Sequence, residues 1–261
     1  MENNYLNFAI RTAKEAGNYL MSQYGKMQTL EWKLKTNFKT QVDDHNDELI
    51  RRRIKETFPD HNIYSEEQDA LNRNSKFSWV VDPLDGTIPY RYGITDHFSV
   101  CIALARGKTP VLGVIYAPKR KELYTAEKDQ GAFCNGKKIH VLDEDDVNHA
   151  LVGLDGGKET SSFKRASLAA YEAKLLSPDG VTCTFSSGCA SVPLALTASG
   201  KLHAYVALSL EPWDMAAGVI INREAGANVT NIYGKQWSLD DPSIITANPN
   251  LHKKLLSYFN N

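Results

Sequence analysis

Apolar residues recur at helical spacing near the start of the chain. Leu6, Ala9, Ile10, Ala13, Gly17 and Leu20 share one face, with Arg11, Lys14 and Glu15 off it, which predicts an amphipathic helix over 5–22. The same period returns at Leu49, Ile50, Ile54 and Phe58 and predicts a second helix over 44–58, capped by Asp43 or Asp44 and stopped by Pro59. The pattern then shortens to strands. Residues 62–64 and 77–81 are apolar runs of strand length, and Pro83 is expected to end sheet pairing after Asp82. Residues 97–105 and 111–116 predict a hairpin across Arg106-Gly107-Lys108, 123–126 a further strand, and Asn135-Gly136 a tight turn.

Beyond residue 150 the two periods alternate. Strands are predicted at 151–154, 181–185, 203–206, 227–231 and 243–246, and helices at 162–175, 189–199, 213–225 and 251–259. The stretch around 145–160 is polar and contains Asp155-Gly156-Gly157. A seam there divides an N-terminal α+β portion, 1–145, from a C-terminal α/β portion, 146–261, within one compact unit. Helices alternating with blocks of strands predict a layered α+β architecture.

Hydrophobic residues make up 42% of the chain, and 30 basic against 31 acidic side chains leave a formal charge of −1. A globular protein is implied, and the basic excess of a dedicated phosphate-backbone binder is missing. No apolar run approaches the ~20 residues that span a bilayer. Met1-Glu2-Asn3-Asn4 lacks the basic start of a secretory signal, so a cytoplasmic protein with no nucleic-acid or membrane partner is expected. Cys101, Cys134, Cys183 and Cys189 lie far apart with no Cys-x-x-Cys pair, which predicts reduced, mostly buried thiols rather than a zinc site.

The densest chemistry is Trp79-Val80-Val81-Asp82-Pro83-Leu84-Asp85-Gly86-Thr87. An apolar strand delivers two carboxylates into one turn, together with the Leu84 carbonyl. This all-oxygen set suits Mg²⁺ rather than zinc. Gly86 admits close backbone approach, and a helix starting near Thr87 would offer its amides to phosphate. A lone Asp-Pro-x-Asp is more often a surface turn. Here the buried flank makes two adjacent acids costly without a cation. A second acidic pair is Glu66-Glu67; by itself it is compatible with a solvated loop. A third element, Glu211-Pro212-Trp213-Asp214, heads a helix, where Asp214 is equally compatible with simple capping. His97 and His203 read as structural.

Taken in order, Glu66-Glu67, Asp82-Pro83-Leu84-Asp85-Gly86-Thr87, Trp213-Asp214 and Gly226 resemble the inositol monophosphatase family over nearly the whole chain. Thr40-x-x-Asp43, Gly131 to Gly136 and Gly188-Cys189-Ala190 add to the resemblance. It implies an αβαβα sandwich of the sugar-phosphatase type, a homodimer and lithium sensitivity. It implies two or three Mg²⁺ held by Glu66, Asp82, the Leu84 carbonyl, Asp85 and Asp214, with Glu67 behind them. Glu66 and Thr87 would position the attacking water with help from Asp43. Gly86 and Thr87 would bind phosphate, and Gly188, Cys189, Ala190 and Asp214 the rest of the substrate.

Departures lie at the substrate side. Pro89 stands where the family usually has Asn, Ala207 where it has a hydroxyl-reading Glu, Cys189 where it has a hydroxyl residue, and Ala227 in the last Gly pair. The implied activity is Mg²⁺-dependent hydrolysis of a small phosphorylated polyol, sugar or nucleotide, inositol 1-phosphate first. The alternatives are 3′-phosphoadenosine 5′-phosphate nucleotidase, fructose-1,6-bisphosphatase and histidinol-phosphatase, or a catalytically inactive regulatory module. Lys33, Lys35 and Lys39 read as solvated surface charge, and Arg91 as either surface or a contact for an extra phosphate.

Overall fold

The first periodic face becomes helix α1 (Tyr5–Gln23), which buries Phe8, Ala9, Ala13, Ala16 and Leu20. The computed structural model describes residues 5–34, 37–157 and 162–260. A hairpin of β1 (Leu30–Leu34) and β2 (Asn37–Thr40), which the polar pattern of this stretch did not announce, leads into α2 (Gln41–Thr57). That helix begins three residues earlier than expected. Its N-cap is Thr40, and Asp43 occupies the third helical position of a capping box, accepting from the Thr40 amide.

Seven strands follow in sheet order: β3 (Asn62–Ser65), β4 (Phe77–Asp85), β5 (Ser99–Arg106), β6 (Thr109–Ala117), β7 (Glu122–Glu127), β8 (Gly131–Cys134) and β9 (Lys137–Ile139). Only β3 and β4 run parallel. A short helix, α3 (Thr87–Tyr92), separates β4 from β5. Contrary to expectation, β4 does not stop at Asp82. Pairing with β5 is interrupted at Pro83 and Leu84 and resumes at Asp85, so Asp82 faces Cys101 and Asp85 faces Ser99. Proline is tolerated because it falls in this bulge.

The C-terminal sheet has the order β11-β10-β12-β14-β13, from β10 (Leu151–Asp155), β11 (Cys183–Phe185), β12 (Ala204–Ala207), β13 (Asn228–Thr230) and β14 (Ile244–Ala247). Helices α4 (Ser162–Leu175), α5 (Ser191–Ala198), α6 (Pro212–Glu224) and α7 (Pro249–Asn260) complete the chain. Five layers result. Helices α1 and α2 cover one face of the seven-stranded sheet, α5 and α6 fill the space between the sheets, and α4 and α7 cover the far face of the second sheet.

Helix α6 is buried from Asp214 to Asn222, as a helix enclosed by two sheets must be. Strand β4 is buried on both faces: Val80 meets the central helices, while Trp79 and Val81 meet α1 and α2. Trp79 is wholly buried, with Phe8 and Phe58 rings at 5.3 and 5.4 Å. Cys101 and Cys189 are buried as expected, whereas Cys183 is exposed. Trp79→Ala should leave a cavity costing about 3–5 kcal/mol and visibly lower the thermal midpoint. A midpoint equal to wild type would mean that this aromatic cluster does not support β4.

Candidate metal centre

Three elements from separate parts of the chain converge at the end of β4. Glu66 follows β3, held beside β4 by a hydrogen bond from its amide to the Val81 carbonyl, 3.3 Å. Asp82 lies in β4 itself and is wholly buried. Asp214 stands in the first turn of α6, where one carboxylate oxygen accepts from the Glu211 amide at 2.9 Å. The Tyr64 and Trp213 rings, 5.0 Å apart, pack β3 against this helix start. One oxygen from each of Glu66, Asp82 and Asp214 lies within 4.8 Å of the other two.

Asp85 is fixed from the opposite side. Its Oδ2 accepts from the Ala190 amide at 3.0 Å, the Ser191 amide at 2.6 Å, the Ser191 hydroxyl and the Cys189 thiol at 3.0 Å. These amides open α5, which has no cap from its own N-cap side chain. A carboxylate about a hundred residues away therefore satisfies them and meets the positive end of the helix.

Gly86 adopts φ +87°, and a Cβ there would come within 2.5 Å of the His97 carbonyl, so no other residue fits the turn. The Thr87 hydroxyl lies 3.1 Å from Asp43 Oδ1 and 3.2 Å from the Leu84 carbonyl. Asp43 Oδ2 accepts from the Thr40 amide and hydroxyl, at 2.8 and 2.6 Å.

Electrostatics follow from this burial. Desolvation pushes Asp43 up to about 6, against the opposing hydrogen bonds from Thr40. Desolvation and then the neighbouring Glu66 push Glu67 up to about 7, in spite of Lys33. Lys33 of β1 donates to Glu67 at 2.5 Å and Glu66 at 3.3 Å. Buried carboxylates this close need positive charge. The donor set is all oxygen and fits a hard divalent ion such as Mg²⁺.

Asp85, Gly86, Thr87, Gly188, Cys189, Ala190 and Asp214 line one cleft of about 230 Å³, together with Asn37, Ile88, Asp155, Gly157 and Leu210.

Comparison with known proteins gives the family. Residues 1–261 match the inositol monophosphatase family. The chain belongs to that family. Its members are phosphoric monoester hydrolases, Mg²⁺-dependent in general. The chain is 34% identical over 260 residues to the fructose-1,6-bisphosphatase/inositol-1-monophosphatase of Aquifex aeolicus, covering 98% of this chain and 96% of that protein. It is 35% identical over 260 residues to the Nus factor SuhB of Vibrio cholerae, covering 97% and 94%. The solved inositol monophosphatase of Thermotoga maritima superposes with a TM-score of 0.86 at 28% identity, covering 98% of this chain and 96% of that one.

Of the site residues named from the sequence, Glu66, Asp82 and Asp214 meet in one cluster, while Asp85, Gly86, Thr87, Gly188, Cys189 and Ala190 share the cleft with Asp214. The surface assignment of Lys33 is overturned, since the β1–β2 hairpin carries its ammonium to Glu66 and Glu67. Lys39 instead pairs with Asp44 at 2.8 Å. Lys35 lies outside the described residues. Arg91 sits over the Tyr92 ring and does not line the cleft. Glu211, not Asp214, is the N-cap of α6.

The sequence also passed over Asp155 and Ser191. In the sequence Asp155 reads as part of a polar seam, although an acid between a strand and two glycines is a signal for a shaped turn. Ser191 carried no local signal.

The raised values of Asp43 and Glu67 fix a pH dependence. Without metal these acids bind protons more tightly folded than unfolded, so their contribution falls as pH rises from 3.8 to about 6 for Asp43 and from 4.5 to about 7 for Glu67. A divalent ion favours the ionised forms. The increase in thermal midpoint on adding Mg²⁺ should therefore be larger at pH 8 than at pH 6; equal increments would contradict the coupling.

Proposed function

We propose that this chain hydrolyses a small phosphate monoester with Mg²⁺ held by Glu66, Asp82, the Leu84 carbonyl, Asp85 and Asp214, inositol 1-phosphate being the first substrate to test. The observation that carries this is the meeting of Glu66, Asp82 and Asp214 within 4.8 Å, beside a cleft to which Asp214 also belongs. Bound Mg²⁺ would acidify water and offset charge on the phosphate and the departing alcohol.

The protein's own contribution is position. The Thr87 hydroxyl donates a hydrogen bond to Asp43 or to the Leu84 carbonyl, which leaves its oxygen able to accept from the attacking water. Glu66 would hold the same water from across the centre. The Gly86 and Thr87 backbone borders the cleft where the phosphate would sit. Asp85, gripped by the start of α5, cannot swing away when the charge at the centre changes. Phosphoryl transfer needs little covalent chemistry from protein, so positioning and charge suffice.

The alternative activities are 3′-phosphoadenosine 5′-phosphate nucleotidase, fructose-1,6-bisphosphatase and histidinol-phosphatase, whose substrates are to be ranked by kcat/KM. An inactive regulatory module is disfavoured because Glu66, Asp82, Asp85, Thr87 and Asp214 are all present. The Nus-factor name of the Vibrio cholerae relative supports a second role beside catalysis. The same family membership supports lithium inhibition and a homodimer.

Asp85→Asn keeps the volume but loses charge. It should cut Mg²⁺-dependent hydrolysis by about 100-fold or more while the protein stays folded by circular dichroism. Excess EDTA should stop turnover, and Mg²⁺ should restore it. Full activity in either experiment would overturn the metal assignment.

A further inference from the structure

We propose that the buried hydroxyls of Ser99 and Ser191 act together as a positioning pair for Asp85, holding its Oδ2 so that Oδ1 is the oxygen offered to a divalent ion. This rests on the reading of Asp85 as a metal ligand and adds two residues that act through it.

Both serines are wholly buried. Ser99 opens β5 and Ser191 opens α5, and their hydroxyl oxygens lie 2.7 Å apart. Hydroxyls in a dry interior are costly unless each is paired. Strand register explains why they meet here. Asp85 is the β4 partner of Ser99, and Asp82 is the β4 partner of Cys101. Ser99 and Cys101 are two apart on one strand and share a face. Both therefore stand beside the acids at the end of β4.

Counting protons fixes the direction of each bond. An ionised Asp85 can only accept. The Ser191 hydroxyl donates to Asp85 Oδ2, which uses its one proton. Ser99 must then donate to Ser191. The Ser99 oxygen is left to accept from the Cys101 thiol, 3.4 Å away. A one-way chain results, from thiol to hydroxyl to hydroxyl to carboxylate, and each bond in such a chain polarises the next.

The Cys189 thiol and the Ala190 and Ser191 amides complete the surroundings of Oδ2, at 3.0, 3.0 and 2.6 Å. Four donors saturate one carboxylate oxygen and leave Oδ1 for an ion. The amides and the Cys189 thiol come from the start of α5. The serine pair ties the same oxygen back to β5, the neighbour of the strand that carries Asp85. The acid is thus held between two elements rather than by one helix end.

The test measures Mg²⁺ affinity by titration calorimetry, without substrate, for wild type, Ser191→Ala, Ser99→Ala, the double variant and Ser187→Ala. Ser187 is the control: its buried hydroxyl, in the same approach to α5, donates to the Cys189 carbonyl. Ser191→Ala should weaken Mg²⁺ binding about tenfold. Ser99→Ala should weaken it by a smaller factor, because Ser191 keeps its bond to Asp85. The double variant should bind no more weakly than Ser191→Ala, since Ser99 acts through Ser191. Ser187→Ala should bind as wild type does. In hydrolysis of inositol 1-phosphate, Ser191→Ala should raise the Mg²⁺ concentration for half-maximal rate by the same factor, with KM for the ester unchanged at saturating Mg²⁺.

Wild-type Mg²⁺ affinity in Ser191→Ala, additive losses in the double variant, or an equal loss in Ser187→Ala would overturn the pair and leave the phosphatase reading intact. If Ser191→Ala fails to fold by circular dichroism, the loss in Ser99→Ala against Ser187→Ala decides. Wild type that binds Mg²⁺ yet hydrolyses no ester would overturn the phosphatase reading, while the calorimetric ranking of the variants still decides the pair. Wild type that binds no Mg²⁺ would overturn both.

Discussion

Carboxylates resist being gathered out of water. At 4.8 Å two of them repel by about 3 kcal/mol at the effective dielectric of a protein, and desolvation adds to that cost. Holding Glu66, Asp82 and Asp214 within that distance therefore requires rigid elements and compensating charge. The rigid elements are β4, buried on both faces, and α6, enclosed by two sheets. Part of the compensation comes from the protein itself. Lys33 serves Glu66 and Glu67, the first turn of α5 serves Asp85, and the Thr40 cap serves Asp43.

The layered fold follows from the same constraint. A bulge at Pro83-Leu84 lets one strand place both Asp82 and Asp85 at its end. The central helices then carry the remaining partners: α6 brings Asp214 by its N-terminal turn, and α5 brings the amides that hold Asp85. Both helix starts point their unsatisfied donors towards acids, which is the favourable sense of the helix dipole. The Tyr64–Trp213 contact sets the relative position of the β3 end and α6.

Much of this was legible in the sequence because it depends on local spacing. The faces of α1 and α2, the strands of both sheets and the acids after β4 all have short-range signatures. What escaped depends on contacts between distant residues. Lys33 looks like any exposed lysine until the β1–β2 hairpin folds it over Glu67. Ser191 is an ordinary small residue until Asp85 reaches it. Asp155 sits in a glycine-rich stretch that reads as a connector, and only the folded chain brings it to the cleft. The continuation of β4 past Asp82 was missed for a different reason: proline forbids a ladder bond, but a bulge needs none at that residue.

The grip of α5 on Asp85 bears on how such a centre can be moved between proteins. The nine residues of β4 carry the recognisable motif, yet grafted alone they would bring Asp85 without the amides that aim it and Asp82 without the acids opposite. The transplantable unit is the crossing of β4 with α5 and α6, which joins residues from both halves of the chain. Shuffling that exchanges only one half of the chain would recover the motif and lose the geometry.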